Sequence, residues 1–183
     1  YVLVALFQKE KLGGQIDSAV CIYSMLDIQN AMKENIQLCI NGNQSVKGSN
    51  FWDGAQCERQ PDSNIVPEPN LCNLIPLGKS SRVAGIVPAT STPSIVFPNT
   101  ALTSLTLTTT TSFTVGFLGT ANGRMKKIVL ASQNVSKEYD HDLVVDDGSK
   151  INQDTVYDQD TRMLYLTSQR LVAKVPVENC GQY

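Results

Sequence analysis

The stretch Phe113-Thr-Val-Gly-Phe-Leu-Gly-Thr-Ala-Asn-Gly-Arg-Met-Lys-Lys-Ile-Val-Leu130 sets two apolar runs of strand length on either side of an Asn-Gly pair. Asn-Gly is a preferred tight connection between antiparallel strands, because both residues tolerate positive φ. The same fact makes Asn122-Gly123-Arg124 a turn rather than an adhesion tripeptide. A second such word, Met163-Leu-Tyr-Leu-Thr-Ser-Gln-Arg-Leu-Val-Ala-Lys-Val-Pro176, lies further along. Two hairpins this apolar need sheets or neighbours on both faces, so the chain is committed to stacked β-structure. Val115, Phe117, Leu118, Ile128 and Leu130 are expected to face neighbouring sheets, as are Leu164, Leu166, Val172 and Val175.

The remainder of the chain divides by periodicity. Tyr1–Phe7 is a continuous apolar strand, Lys9–Gln15 with Gly13-Gly14 a turn, and Ser18–Ser24 a second strand pairing with the first. Then the period changes. Met25, Ile28, Met32, Ile36 and Cys39 or Ile40 recur at steps of three and four, which predicts an amphipathic helix. Ser24 and Asp27 are its candidate N-caps, and Asn41-Gly42 its stop. From Asn41 to about Asn99 periodicity is lost and seven of the eight prolines fall there, so the helix and this stretch read together as an insertion, about 25–100. After Ala101 the β pattern returns, with a Thr-rich strand through Leu102, Leu105 and Leu107 and a short strand at Leu143–Val145. Asp146-Asp-Gly148 and Asp158-Gln-Asp160 mark turns. Short strands at close spacing, separated by turn signals, argue for a mainly β propeller or sandwich.

Bulk properties and motif tests narrow the function classes. A formal charge of −2 gives no basic field for nucleic acid or anionic lipid, and no apolar run reaches the roughly 18 residues of a membrane span. Gly78-Lys79-Ser80 echoes the end of a phosphate-binding loop, but the earlier glycine such a loop needs is Asn73 here, so it reads as a turn. Asp140-His141-Asp142 and Asp146-Asp147 contain acids and the only histidine, without calcium-loop or zinc-site spacing, and read as solvated turns. One histidine leaves nothing for a nucleophile–base arrangement, so no catalytic, cofactor or metal residue is nominated. Phe51-Trp52 in the insertion reads as packing against the β body rather than as a partner surface.

Five cysteines, Cys21, Cys39, Cys57, Cys72 and Cys180, are an odd number, and an odd number in an extracellular chain points to bonds leaving this segment. The sequons Asn43-Gln-Ser and Asn134-Val-Ser agree with an extracellular setting. Asn43 and Asn134 are both expected on exposed loops able to carry glycan. The opening Tyr1-Val-Leu-Val-Ala-Leu-Phe7 has no signal-peptide pattern and reads as a cut through a larger domain.

Several of these words together resemble the sema domain of plexins, the cell-surface receptors for semaphorins. Asp17-Ser-Ala-Val-Cys-Ile-Tyr-Ser-Met-Leu-Asp-Ile28 is similar to the strand that leads into the helical extrusion of sema domains. Phe-Leu-Gly-Thr and Gly-Arg-Met-Lys-Lys resemble the hairpin of the next blade. Leu164-Tyr-Leu-Thr-Ser-Gln-Arg170 and Val175-Pro-Val-Glu-Asn-Cys-Gly-Gln-Tyr183 resemble the run that ends a plexin sema domain. The Pro-rich stretch Gly78–Asn99 departs from that pattern.

The resemblance implies part of a seven-bladed β-propeller, about its last three blades, with a helical, disulfide-stapled insertion. On that reading 1–179 belong to the propeller, and 180–183 begin a plexin–semaphorin–integrin cysteine-rich module whose first cysteine is Cys180. It also implies a local disulfide between Cys39 and Cys57, closing a loop for about 3 kcal/mol of stabilisation. Cys21, Cys72 and Cys180 would bond to parts of the receptor outside this chain. The implied function is the extracellular, ligand-binding portion of a plexin-like receptor. It would be single-pass through a transmembrane segment elsewhere, without cofactor or enzymatic activity. Its partners would be a semaphorin and the rest of the receptor chain. The alternatives are a semaphorin ligand and a sema-domain growth-factor receptor tyrosine kinase.

Overall fold

The computed structural model describes residues 1–41, 43, 85–109, 113–132, 135–139 and 141–177. Cys57, Cys72, Cys180, Asn134, Phe51-Trp52 and Gly78-Lys79-Ser80 lie outside the described residues. The chain divides into two compact units, one formed by Tyr1 with Tyr23–Thr90 and the other by Val2–Ile22 with Ser91–Tyr183.

The second unit contains three antiparallel sheets. The first sheet runs β1 (Val2–Glu10), β2 (Ile16–Ser24), β3 (Pro93–Phe97). Next comes a middle sheet with the path β4 (Leu102–Thr109), β5 (Thr114–Thr120), β6 (Arg124–Ser132), β7 (Val135–Glu138). Its fifth strand, β8 (Leu143–Val144), pairs with the same edge of β6 further along. The third sheet is ordered β11 (Val172–Pro176), β10 (Met163–Ser168), β9 (Ile151–Asp158).

Both apolar words form hairpins as their patterns require: β5 pairs with β6, and β10 with β11. The β5–β6 connection differs in detail from a two-residue turn. Of its residues only Gly123 has positive φ, at 81°, while Asn122 stays out of the left-handed region. Ala121, Asn122 and Gly123 form a three-residue loop that ends on a left-handed glycine, a known alternative closure.

Packing on the middle sheet explains why its hairpin is apolar throughout. Side chains alternate across a strand. Val115 and Phe117 of β5 and Met125 of β6 therefore share one face, where they pack with Ile151, Leu164, Leu166, Val175 and Val177 of the third sheet and its end. Leu118, Ile128 and Leu102 occupy the other face and pack with Val20 and Phe97 of the first. Threonines of β4 add polar links: the Thr103 hydroxyl donates to the Ile151 carbonyl at 2.7 Å, and that of Thr106 to the Thr155 carbonyl at 3.3 Å.

Val172 is a correction. It was expected to face a neighbouring sheet and is 75% exposed. The register sets Leu166 opposite Ala173 and Leu164 opposite Val175, so the inward positions of β11 are odd-numbered and Val172, opposite Thr167, points outward. Leu130 of the middle hairpin is only partly buried. A second difference concerns the Pro-rich stretch, which was expected to lack regular structure as far as Asn99. Pro93–Phe97 within it forms β3, an edge strand of the first sheet that begins on one proline and stops before Pro98. Proline is tolerated at those positions because an edge strand need not donate every N–H.

In the first unit, α1 (Met25–Ile40) follows β2 directly. Ser24 is its N-cap: the hydroxyl accepts the Asp27 N–H at 3.4 Å. Among the described side chains the buried stripe is not the one the apolar period marked, since Met32 is exposed and the fully buried position is Asn35.

Candidate functional site

Where the hairpin tips meet, one loop fastens the middle sheet to the third. Val145 and Asp146 both donate their backbone N–H to the Gly123 carbonyl at 3.0 Å, and Gly148 donates to the Asn122 carbonyl at 3.1 Å. The Asp146 side chain is buried. It accepts hydrogen bonds from the Ser168 hydroxyl and the Arg170 guanidinium, and Arg170 also donates to the Asp147 carbonyl at 2.9 Å. Asp146 thus ties the β5–β6 tip, its own loop and the β10–β11 turn together. The Arg170 hydrogen bond, then that of Ser168, holds the Asp146 carboxyl below its ordinary pKa against the opposing effect of burial. Within the β5–β6 loop, Thr120 accepts the Arg124 N–H at 2.9 Å and donates to the Arg124 carbonyl at 2.8 Å.

A second polar centre sits between β6 and β3. Lys126 is largely buried and pairs with Glu138 at 2.8 Å and Asp142 at 3.0 Å. Its ammonium also lies 5.8 Å from the centre of the Phe97 ring. Burial alone would lower the Lys126 pKa, but the Glu138 and Asp142 hydrogen bonds outweigh it and the net shift is upward. Lys126 therefore holds the end of β7 and the start of β8 against one strand. A third contact set belongs to the β1–β2 turn. Asp17 pairs with Lys11 at 2.7 Å and accepts the Asn99 N–H at 2.8 Å, while Ser18 donates to the Thr100 carbonyl at 2.7 Å and accepts from the Leu102 N–H at 3.0 Å. Those bonds fix the crossing from β3 to β4.

The chemistry available here is that of a scaffold. Asp142 and Asp146, read from the sequence as solvated, are each committed to a cation. Asp158 closes its own turn by accepting from Asp160 and Thr161. Among the described residues no group of three His, Cys, Asp or Glu side chains is placed to hold a metal ion. No helix among them is long and apolar enough to cross a membrane.

The cysteine and sequon positions separate. Cys21 is a buried free thiol on β2, and burial raises its pKa. Cys39 lies in the last turn of α1, and Asn43 follows the helix, donating its backbone N–H to the Leu38 carbonyl at 2.9 Å. Asn43 is half-buried rather than fully exposed. The structure brings Asp146, Ser168, Arg170 and Gly123 together, a grouping that sequence reasoning did not anticipate. The available signal was an acid in one predicted turn and an arginine in another.

A pH experiment tests the Asp146 centre. Because its pKa is lowered on folding, the stability it contributes is present above the unfolded carboxyl value, about 3.9, and is lost as pH falls below it. Asp146→Asn is expected to melt at lower temperature than the parent at pH 7, with the gap narrowing as pH drops below about 4. Parallel melting curves across that range would show that the carboxylate contributes no charge-dependent stability.

Comparison with known proteins decides the family. The Sema domain family matches residues 1–158.

This chain belongs to the Sema domain family.

Its relatives include Plexin-A2 of Homo sapiens, 33% identical over 191 residues, covering 100% of this chain and 10% of that protein. Plexin-A4 of Homo sapiens is 30% identical over 180 residues, covering 96% of this chain and 9% of that protein. The Sema chain thus spans about a tenth of the length of these curated relatives. Among solved structures, the Plexin A4 full extracellular region superposes with a TM-score of 0.78 at 24% identity, over 100% of this chain and 18% of that one. Drosophila Semaphorin 2a gives 0.68 at 22% identity, over 98% and 30% respectively. Drosophila Plexin A in complex with Semaphorin 1b gives 0.62 at 16% identity, over 100% and 39%. At these identities the superpositions show the fold, which is mainly β and of the sema propeller type.

Proposed function

We propose that this sema chain is the ligand-binding portion of the extracellular region of a plexin-like receptor, and that its ligand is a semaphorin. The observation that carries the reading is the match to plexins over the whole chain, 33% identical in the case of Plexin-A2. The fold of Drosophila Plexin A in complex with Semaphorin 1b agrees with it. The polar centres described above suit a rigid module that presents loops and performs no chemistry. The receptor is placed at the cell surface, anchored by a transmembrane segment outside this chain, with the remainder of its ectodomain as the second partner.

The covalent features belong to the same proposal. Cys39 and Cys57 form a local disulfide; Cys21, Cys72 and Cys180 bond to cysteines elsewhere in the receptor; Asn43 and Asn134 carry glycan. Residues 1–179 complete the last three blades of the propeller and 180–183 open the next module. Non-reducing peptide mapping of the secreted ectodomain that joined Cys57 to Cys72 would refute the pairing.

A likeness to Semaphorin 2a keeps the ligand reading as the alternative. A cell-binding assay separates the two. Cells displaying the intact protein are expected to capture soluble semaphorin. Capture by plexin-bearing cells of the soluble protein, with no capture of semaphorin, would reverse the assignment.

A further inference from the structure

Asn35 is the fully buried position among the described side chains of α1, and its amide is used like a peptide group. Its Nδ2 donates to the Val87 carbonyl at 2.8 Å and to the Ala31 carbonyl at 2.8 Å, and its Oδ1 accepts the Val87 N–H at 2.9 Å. The side chain thus pairs with both polar groups of one backbone residue, as a neighbouring strand would. Gly85, two residues earlier, completes the fit: a Cβ there would overlap the Asn35 side-chain amide. Elsewhere on the helix Leu26 and Met32 are exposed. A polar clasp, not an apolar stripe, joins α1 to the 85–87 segment. The three sheets are joined by two apolar clusters, and they form a separate compact unit.

We propose that Asn35, Gly85 and Val87 form a latch whose release lets α1 and the 85–87 segment open together, as one cooperative piece, while the three sheets stay closed. Segments with few buried apolar contacts open locally at lower free energy than a packed core. A buried amide bonded at three points is all-or-none, because losing one partner leaves the others unsatisfied. The latch would allow the helix to be released and recaptured without unfolding of the β unit.

Native-state hydrogen exchange on the intact ectodomain tests this. In the parent protein the Val87 amide and the inner amides of α1 are expected to exchange at a common rate, about tenfold or more faster than those of Leu118 and Ile128. Asn35→Leu should accelerate Val87 and the α1 amides together by about tenfold or more, with Leu118 and Ile128 unchanged. Gly85→Ala alters nothing in α1 itself and should accelerate the helix amides all the same. Acceleration of Val87 with α1 unaffected would reduce the latch to a single local bond. Equal acceleration at Leu118 would make the chain one cooperative unit. Either result overturns the proposal, as would a parent protein whose helix amides exchange at the rate of the middle sheet.

Discussion

Gly123→Ala is expected to cost about 3 kcal/mol or more, a large penalty for one methyl group. Two effects combine. The residue sits at φ 81°, a conformation that an L side chain adopts only with strain of about 1–2 kcal/mol. A Cβ there would also overlap the Asp146 carbonyl and lie 2.8 Å from that of Ser149. Relief requires the 145–149 loop to withdraw, and the bonds from Val145 and Asp146 to the Gly123 carbonyl then weaken at about 1 kcal/mol each. Gly14→Ala is the control. It has nearly the same φ, 78°, but open space where the methyl would go, so it should cost only the strain. Melting temperatures of the two variants in the intact ectodomain decide the matter. Equal losses would mean that the loop does not clasp the turn as described.

Phe117→Ala should cost roughly 3–5 kcal/mol, the range for emptying a packed aromatic site. Phe117 is 4% exposed, within the cluster that binds the middle sheet to the third, and Lys127 stands 5.8 Å from its ring centre. Strands on both sides fix the backbone around it, so collapse into the void is limited. In a receptor that presents a rigid propeller, the phenotype is loss of surface expression, with loss of semaphorin binding following from it. The informative result is the ratio of the two. Normal surface level with lost binding would make Phe117 a contact residue and remove the architectural explanation.

How much of this was legible in the sequence depended on whether a residue's role is local. The hairpins, the helix after Ser24 and the Thr-rich strand were readable because apolar period and turn chemistry act over a few neighbours. β9 was missed because Ile151-Asn-Gln-Asp-Thr-Val-Tyr-Asp158 is largely polar, and its strand state comes from pairing with β10. β7 was missed for a similar reason: it is four residues long and is held by β6 and the Lys126 ion pair. Val172 shows the reverse error, an apolar residue whose strand was right and whose face was wrong by one position. The Asp146 centre depended on Arg170, 24 residues away, and a turn signal carries no information about which other turn it will meet.

The middle sheet has neighbours on both faces, and this bears on how sequence variation in the molecule should be interpreted. Neither face of its central hairpin offers a surface on which a ligand could settle. Substitutions at Val115, Phe117, Leu118 or Ile128 should therefore be scored by abundance, and a binding defect there is a secondary readout. Loop tips and the outward side of β11 follow the other rule: variants there can alter recognition while leaving abundance intact. In a saturation scan that records both quantities for each variant, the two classes would fall along different axes, and the recognition surface would emerge from positions where binding and abundance diverge.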